Sequence, residues 1–165
     1  MSGDQRAEVR FAPPRWLIPW LTRAHVAIYR ASRGRIGSRA KKMPHLLLGG
    51  VGRRSGRKFT VCLPYWLDEA GDRIIVASFK GAPKHPAWYH NVVDTSANPT
   101  VQIRDGRRVF DARVEILRGE EREELWRRLV ADRPFYGRYQ AVTTRRIPLL
   151  RIVEGAGKAL HGSRD

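Results

Sequence analysis

The 165-residue chain has one cysteine, no run of about 18 apolar residues, and no acidic side chain between Glu8 and Asp68. A single cysteine excludes an internal disulfide and is typical of a reducing compartment. Without a long apolar run, we expect no segment to span a bilayer by itself. The first residues also lack the features of a secretory signal. The sequence therefore predicts a cytoplasmic protein, with Cys62 packed in a strand rather than acting as a nucleophile.

The scarcity of acids gives a net charge of +16 that is unevenly placed. Residues 1–60 hold 14 Lys and Arg against two acids, a balance of +12, while the remaining 105 residues contribute +4. Such a block attracts nucleic acid, an anionic lipid surface, or a phosphorylated or carboxylated small molecule, unless it is simply a solvated face. Composition does not choose among these.

The first 40 residues read as a basic amphipathic helix followed by a linker. Apolar residues recur at four- and three-residue spacing from Leu17 to Ile28, which predicts a helix over residues 14–32. Trp16 and Trp20 among arginines are typical of a helix at a membrane surface, although packing on its own domain is an equal alternative. Peripheral association with the inner face of an anionic membrane is therefore one expectation for this segment.

The rest of the chain, residues 41–165, is predicted to form one α+β domain. Alternating apolar residues and turn signals indicate strands joined mostly by tight turns, without the regular strand–helix alternation of a parallel sheet. Around six antiparallel strands in so short a chain most simply curl into a small barrel. The strands are expected at 45–51, 58–66, 73–79, 100–104, 107–117 and 148–154, and helical segments from Pro86, at 119–132 and around 135–142.

Two stretches are candidates for binding. "GVGRRSGRK" (50–58) combines glycines with four cations, which suits phosphate or carboxylate oxygens, although a solvated Gly–Arg hairpin is the alternative. "KGAPKHPAWYHN" (80–91) carries adjacent Trp88 and Tyr89 rings, which indicate either a platform for a planar ligand or a helix that plugs the barrel. His85 and His90 are five apart, which is not the spacing of metal ligands on one helical face, and we expect no metal.

Nucleophilic catalysis has little support in the sequence. Ser55 and Ser78 lack a nucleophile-elbow motif. Tyr136 and Tyr139 are three apart and either offer phenol donors to a pocket or pack in a core. A protein with no strong nucleophile, metal set or acid pair usually leaves hard chemistry to a cofactor.

Three motifs carry a family resemblance. "LLLGGVGRRSGRKFTVCLPYW", "IIVASFKGAPKHPAWYHNVV" and "ANPTVQI", in this order, resemble the deazaflavin-dependent nitroreductase family of flavin and deazaflavin oxidoreductases from actinobacteria. The similarity runs from about Tyr29 to Ile152. It implies the split β-barrel fold of FMN-binding proteins and coenzyme F420, a deazaflavin whose tail carries a phosphate and glutamates.

The resemblance also implies where the cofactor would lie. Arg53, Arg54 and Ser55 would hold the tail phosphate, with Arg57 and Lys58 near the glutamates. The implied groove comprises Phe59, Thr60, Val61, Cys62, Leu63 and Pro64. The implied ring contacts are Ala77, Ser78, Phe79 and Lys80. The helix that would close over the cofactor contributes Ala87, Trp88, Tyr89, His90 and Asn91.

Three functions follow as hypotheses. The favoured one is an oxidoreductase in which reduced F420 gives a hydride to a quinone or nitroaromatic acceptor, with Tyr139, Tyr136 or Ser78 as the donor to the reduced product. The second keeps redox chemistry but exchanges the cofactor for FMN or haem. The third is a nucleic-acid-binding module, against which the chain shows no recognised nucleic-acid motif and keeps its aromatics apart from its densest cations.

Overall fold

The structure is a computed structural model that describes residues 43–155. The predicted basic helix and linker at 1–40 lie outside the described residues. Six strands and three α-helices are formed in the order β1 (His45–Val51), β2 (Lys58–Leu67), β3 (Arg73–Val76), α1 (Ala87–Val92), β4 (Val101–Asp105), β5 (Arg108–Ile116), α2 (Gly119–Asp132), α3 (Phe135–Ala141) and β6 (Leu149–Glu154).

All six strands close into one antiparallel barrel in the order β1-β2-β3-β6-β5-β4. The predicted fold, an α+β protein built on an antiparallel split barrel, is confirmed. Because side chains alternate across a strand, the predicted face of β2 from Phe59 to Tyr65 points into the barrel and packs on the main core. Burying each Leu or Ile of this core contributes about 1.5–3 kcal/mol.

Within residues 43–155, α2 and α3 cover the outside of the barrel beside β3 and β6. Leu125 and Leu129 of α2 and Tyr136 of α3 pack with Ile74 and Leu149 in a second core outside β3 and β6. The indole Nε1 of Trp66 on β2 donates to Asp132 Oδ2 at 2.9 Å, which fixes the end of α2. This packing leaves one open end of the barrel for the loops considered below.

Three predicted element positions are corrected. The strand expected at 73–79 ends at Val76, and a short 3-10 helix follows at Phe79–Gly81, because Phe79 and Lys80 take positive φ values that a strand cannot contain. The helix expected from Pro86 begins at Ala87, since Pro86 keeps an extended backbone. The strands predicted at 100–104 and 107–117 implied a turn at 105–106, but the turn lies one residue later, because Asp105 still pairs with Arg108.

The strand register gathers three of the connections between strands at one end of the barrel, called here the upper end. It is formed by the last residues of β1, β3 and β5 and the first residues of β2, β4 and β6. α1 lies at this end and sends Val92, Trp88 and Tyr89 against the barrel core. The opposite end is held by Asp105, which accepts hydrogen bonds from Tyr65 and Arg73.

Candidate functional site

The arginine turn, Gly52–Arg57, joins β1 to β2 at the upper end. The Gly52 amide donates to Arg57 O at 2.9 Å, and the Gly56 amide donates to Gly52 O at 2.8 Å. Gly56 has φ +63°, a conformation that favours glycine. Ser55 Oγ accepts from the Arg57 amide at 3.4 Å. The turn is thus shaped by its own backbone, which leaves the cationic side chains outside the hydrogen-bond network.

These cations are exposed and lack carboxylate partners. Arg53, Arg54, Arg57 and Lys58 are all exposed. None of them forms an ion pair within residues 43–155. The pKa of Asp94 is lowered mainly by the Ser96 hydroxyl and the Ala97 amide, with a smaller effect from Arg53. The turn is therefore a concentration of positive charge available to an anion.

A pair of asparagines fixes the arginine turn to α1. The buried Asn98 accepts from the Val51 amide at 2.8 Å and donates to Val51 O at 2.8 Å and to Asn91 O at 2.9 Å. Asn91 Oδ1 in turn accepts from the Arg53 amide at 3.2 Å. The end of β1, the arginine turn and the end of α1 therefore form one hydrogen-bonded unit.

The ring segment, Ala77–Gly81, follows β3 at the same end. Phe79 and Lys80 have φ values of +44° and +52°, the positive values among non-glycine residues of the described chain. Such conformations cost of order 1–3 kcal/mol each and tend to occur at functional sites. Phe79 is also 52% exposed, which is unusual for a large apolar side chain. The segment holds strain and presents apolar surface beside Ser78.

Close packing against α3 holds the ring segment in place. A Cβ on Gly81 would lie 2.4 Å from Val142 Cγ2 and 2.5 Å from Tyr139 O, and Gly81 has φ +78°. Only glycine meets both conditions without strain. The contact joins the ring segment to the end of the helix that carries Tyr139.

Arg145 joins the ring segment to the loop before β6. Its Nε donates to Ala82 O at 2.7 Å, and its Nη2 donates to Ser78 O at 2.6 Å. Its Nη1 lies 3.1 Å from both Ala77 O and His85 Nδ1. Burial lowers the pKa of Arg145. One guanidinium thus holds the backbone of the segment on which the cofactor ring is predicted to lie.

A cleft of about 350 Å³ opens beside Arg145, between the ends of β5 and β6. Its lining includes the apolar residues Ile116, Leu117, Ile147 and Pro148. His85 and Tyr89 also line it, with ring centroids 4.7 Å apart. Arg118, Arg122 and Arg146 complete the lining. The size and the apolar part of the lining suit a small planar ligand.

The predicted groove residues lie on β2. Phe59, Val61 and Leu63 face the barrel core, while Cys62 packs against Leu47 outside it. Burial raises the pKa of the Cys62 thiol to about 11, which agrees with a packing role. β3 pairs with β2 only at Tyr65–Leu67. It therefore does not reach the half of β2 that contains the predicted groove residues. Thr60 and Pro64 lie on the same half.

The predicted residues of α1 differ in exposure. Trp88 and Tyr89 are both partly buried and pack against the barrel core, so the helix does plug the barrel. Ala87 and His90 are exposed, and Asn91 is half-buried in the asparagine unit. Plugging and ligand contact remain compatible, because neither ring is fully buried.

The two tyrosines predicted as donors occupy different environments. Tyr136 is 2% exposed in the second core, where burial raises the pKa of its phenol above the ordinary range. Tyr139 is half-buried and packs edge-on against Phe135 and Tyr136. Its backbone, rather than its ring, makes the described contact with the ring segment.

Sequence reasoning missed two residues that organise the site. Asn98 stands inside the quoted "ANPTVQI" motif, and an asparagine before a proline at the start of a strand was a usable signal. Arg145 had no local signal, because its partners are 60 or more residues away in the chain. Its role is visible only once the barrel is closed.

Neither a metal-binding cluster nor a membrane-spanning helix is present in residues 43–155. These residues contain no group of three or more His, Cys, Asp or Glu side chains placed to hold a metal ion. Over the same range, no helix has the length and apolar character needed to cross a membrane.

The closed six-stranded antiparallel barrel has the architecture of a split-barrel protein. The sequence profile of the F420H(2)-dependent quinone reductase family matches residues 20–154. The chain therefore belongs to that family, which is a family of oxidoreductases. The resemblance predicted from the motifs is confirmed, as are the enzyme class and F420 as the cofactor of the family.

Individual relatives agree with this assignment. The F420H(2)-dependent quinone reductase Rv1261c of Mycobacterium tuberculosis is 37% identical over 135 residues, covering 79% of this chain and 87% of the relative. A solved structure described as an F420-H2 dependent reductase, FDR-A, is 42% identical with a TM-score of 0.55, covering 66% of this chain and 93% of its own. A structure described as a domain-swapped dimer is 34% identical with a TM-score of 0.58, covering 86% and 99%.

Proposed function

We propose that this protein transfers a hydride from reduced F420 to a quinone, with the F420 tail on the arginine turn and the deazaflavin ring on the ring segment. The observation that carries the proposal is the placement of an exposed cationic turn, which has no carboxylate partner among residues 43–155, at the same barrel end as the strained Ala77–Gly81 segment. Both belong to a chain of the F420H(2)-dependent quinone reductase family.

The donor set of the turn fits an acidic tail. Guanidinium groups bind phosphate and carboxylate oxygens through paired N–H donors, and charged hydrogen bonds of this kind contribute about 1.5–3 kcal/mol each. In the proposal, Arg53, Arg54 and the Ser55 hydroxyl hold the phosphate, and Arg57 and Lys58 meet the glutamates. Anchoring Arg53 through Asn91 reduces the conformational freedom that binding would otherwise have to remove.

The groove between tail and ring would follow β2. Because β3 does not reach Phe59–Pro64, this half of the strand lies between the arginine turn and the ring segment. Ala77, Ser78, Phe79 and Lys80 would contact the ring, with exposed Phe79 supplying apolar surface. Residues Ala87 to Asn91 of α1 would close the site from the other side.

The protein's contribution to the chemistry is orientation and hydrogen bonding. Reduced F420, when bound, supplies a hydride that carries two electrons. Ser78, whose backbone is fixed by Arg145, is the proposed hydrogen-bond donor on the ring side, and Tyr139 is the proposed donor from α3. Tyr136 is the weaker choice, because its phenol lies in the second core. Exclusion of water by the plugging helix would strengthen these interactions.

The acceptor is proposed to be a quinone, with nitroaromatics as adventitious substrates. Quinones of this type reside in membranes, and residues 14–32 carry tryptophans and arginines suited to an anionic membrane surface. We therefore propose peripheral membrane recruitment through residues 1–32. Removal of these residues should abolish liposome association, and unchanged association would contradict the recruitment.

The cofactor assignment is tested by titrating the protein with F420 and following its fluorescence. Replacing both Arg53 and Arg54 with Ala should weaken binding at least about 100-fold, because two charged contacts are lost. The charge-matched control replaces Arg107 and Arg113, which are exposed outside the upper end, with Ala and should retain the affinity. Equal affinity in all three proteins would overturn the tail site, and visible absorption by the purified protein would favour FMN or haem.

A further inference from the structure

The contact between Arg145 and His85 determines which imidazole nitrogen carries the proton. Arg145 Nη1 lies 3.1 Å from His85 Nδ1. A guanidinium has only N–H donors and no acceptor, so it can pair only with an unprotonated ring nitrogen. His85 is therefore a neutral imidazole with its proton on Nε2.

The charges around His85 support the neutral form. Burial, Arg145 and His90 lower the pKa of His85, in that order. Tyr89 packs against the same ring, and the arginines at positions 118, 122 and 146 line the same cleft. Glu123 is the carboxylate in this region, and it is already paired with both Arg122 and Arg146. A second proton on His85 would add a cation to a cationic surrounding.

Arg145 connects the cleft beside His85 to the ring segment. The same Nη1 that donates to His85 lies 3.1 Å from Ala77 O, and Ala77 begins the ring segment. Four apolar residues line the cleft, and His85 and three arginines add polar groups to its lining. A planar apolar molecule with oxygen acceptors matches both features.

We propose that this cleft binds the quinone acceptor, and that His85 donates its Nε2–H to a quinone oxygen while Arg145 acts as the positioning residue that fixes this tautomer. The proposal rests on the quinone reductase function proposed above. It adds a donor on the acceptor side to Ser78 and Tyr139. The donor set matches an oxygen on which negative charge develops.

The reaction balances without a proton from His85. The quinone gains a hydride from reduced F420 and one proton from solvent, which together give the hydroquinone. The remaining proton of the reduced cofactor is released to solvent, which leaves oxidised F420 and no net change in solvent protons. His85 keeps its Nε2 proton throughout and stabilises the negative charge on the quinone oxygen before that oxygen is protonated. An acid role is disfavoured, because a doubly protonated ring would point Nδ1–H at the donors of Arg145.

The tautomer is tested by nitrogen-15 NMR of the imidazole rings in the full-length protein without cofactor. We expect the Nε2–H pattern for His85 from pH 8 to pH 6. Arg145→Met should give a mixture of tautomers and a higher pKa for His85, while Arg145→Lys, which keeps a donor, should retain much of the native pattern. An Nδ1–H pattern in the native protein, or no change in Arg145→Met, would overturn the proposal.

The ligand is tested separately by titrating a water-soluble naphthoquinone and following quenching of intrinsic fluorescence, again without F420. His85→Phe should weaken binding about three- to tenfold, the loss of one hydrogen bond. His85→Gln, whose amide can replace the Nε2 donor, should stay within about twofold of the native protein. Equal affinity in all three proteins overturns the proposal.

A third titration separates this proposal from the cofactor assignment. F420 affinity should be unchanged in His85→Phe and lost in the Arg53 and Arg54 double variant. If inorganic phosphate competes with the naphthoquinone and His85→Phe binds the naphthoquinone normally, the cleft is an anion site and the quinone proposal is wrong. If F420 itself fails to bind the native protein, the proposed function fails while the tautomer result stands.

Discussion

The side chain of Asn98 forms two hydrogen bonds with the backbone of Val51, 47 residues earlier in the chain. The Val51 amide donates to Asn98 Oδ1, and Asn98 Nδ2 donates to Val51 O, both at 2.8 Å. The same amide group also holds the end of α1 through Asn91 O. The position of the arginine turn therefore depends on one buried amide.

The first prediction concerns the space that this amide requires. A Cβ on Gly50 would lie 2.6 Å from Asn98 Oδ1, whereas the nearest atoms to a Cβ on Gly49 are 3.7 Å away. Gly50→Ala should therefore lower the free energy of unfolding by about 2 kcal/mol and weaken F420 binding, because buried hydrogen bonds are strained or lost. Gly49→Ala is the control and should change neither. Urea unfolding and F420 titration measure the two effects. Equal stability and equal F420 affinity in the two variants would contradict the role given to the Asn98 side chain.

The second prediction separates packing from backbone conformation in the ring segment. Gly81 and Gly71 both have positive φ, at +78° and +83°, but a Cβ on Gly71 meets nothing within 4 Å. In both Ala variants the free energy of unfolding should fall by about 1 kcal/mol, because alanine is strained at a positive φ. In Gly81→Ala it should fall by about 1–3 kcal/mol more, because the added Cβ clashes with Val142 and Tyr139. Thermal or urea unfolding measures the difference. A Gly81 variant as stable as the Gly71 variant would show that the contact with α3 is loose.

The third prediction exploits the strain at Lys80. Because its φ of +52° costs an ordinary residue free energy that glycine does not lose, Lys80→Gly should raise the free energy of unfolding by about 0.5–1 kcal/mol. If the strain serves cofactor binding, the same variant should bind F420 less tightly. The exposed Lys84→Gly, outside the strained pair, is the control and should not gain stability. A variant that becomes less stable at position 80 would contradict the assignment of strain.

The fourth prediction is a pH dependence of stability. The pKa of His85 is lower in the folded protein than its ordinary value, so the folded state binds fewer protons than the unfolded state at mildly acidic pH. The contribution of His85 is fully present above about pH 6.5 and is lost as the pH falls through the lowered folded value. The difference in stability between the native protein and His85→Gln should therefore change in favour of His85→Gln as the pH falls from 7 to 5. A constant difference would contradict the lowered pKa.

Local patterns predicted most of the barrel. Alternating apolar residues predicted β2 to within one residue, and the helix predicted at 119–132 has both of its ends in place. These signals lie within a few residues of each other, so no tertiary information was needed to interpret them.

The organisation of the site needed the folded chain. Phe79 and Lys80 carry no sequence sign of a left-handed backbone, which is why the strand was predicted three residues too long. Asn98 and Arg145 act on partners 47 and at least 60 residues away. The first contact requires the end of β1 to lie beside the start of β4, and the second requires the start of β6 to lie beside the end of β3.

A crystal structure determined after crystals of the protein have been soaked in F420 tests most directly the central claim, which is the placement of the F420 tail and ring. The account predicts phosphate density against Arg53, Arg54 and Ser55, and ring density against Ala77 and Ser78. An arginine turn with no ligand density, together with a ring bound elsewhere or absent, would contradict it.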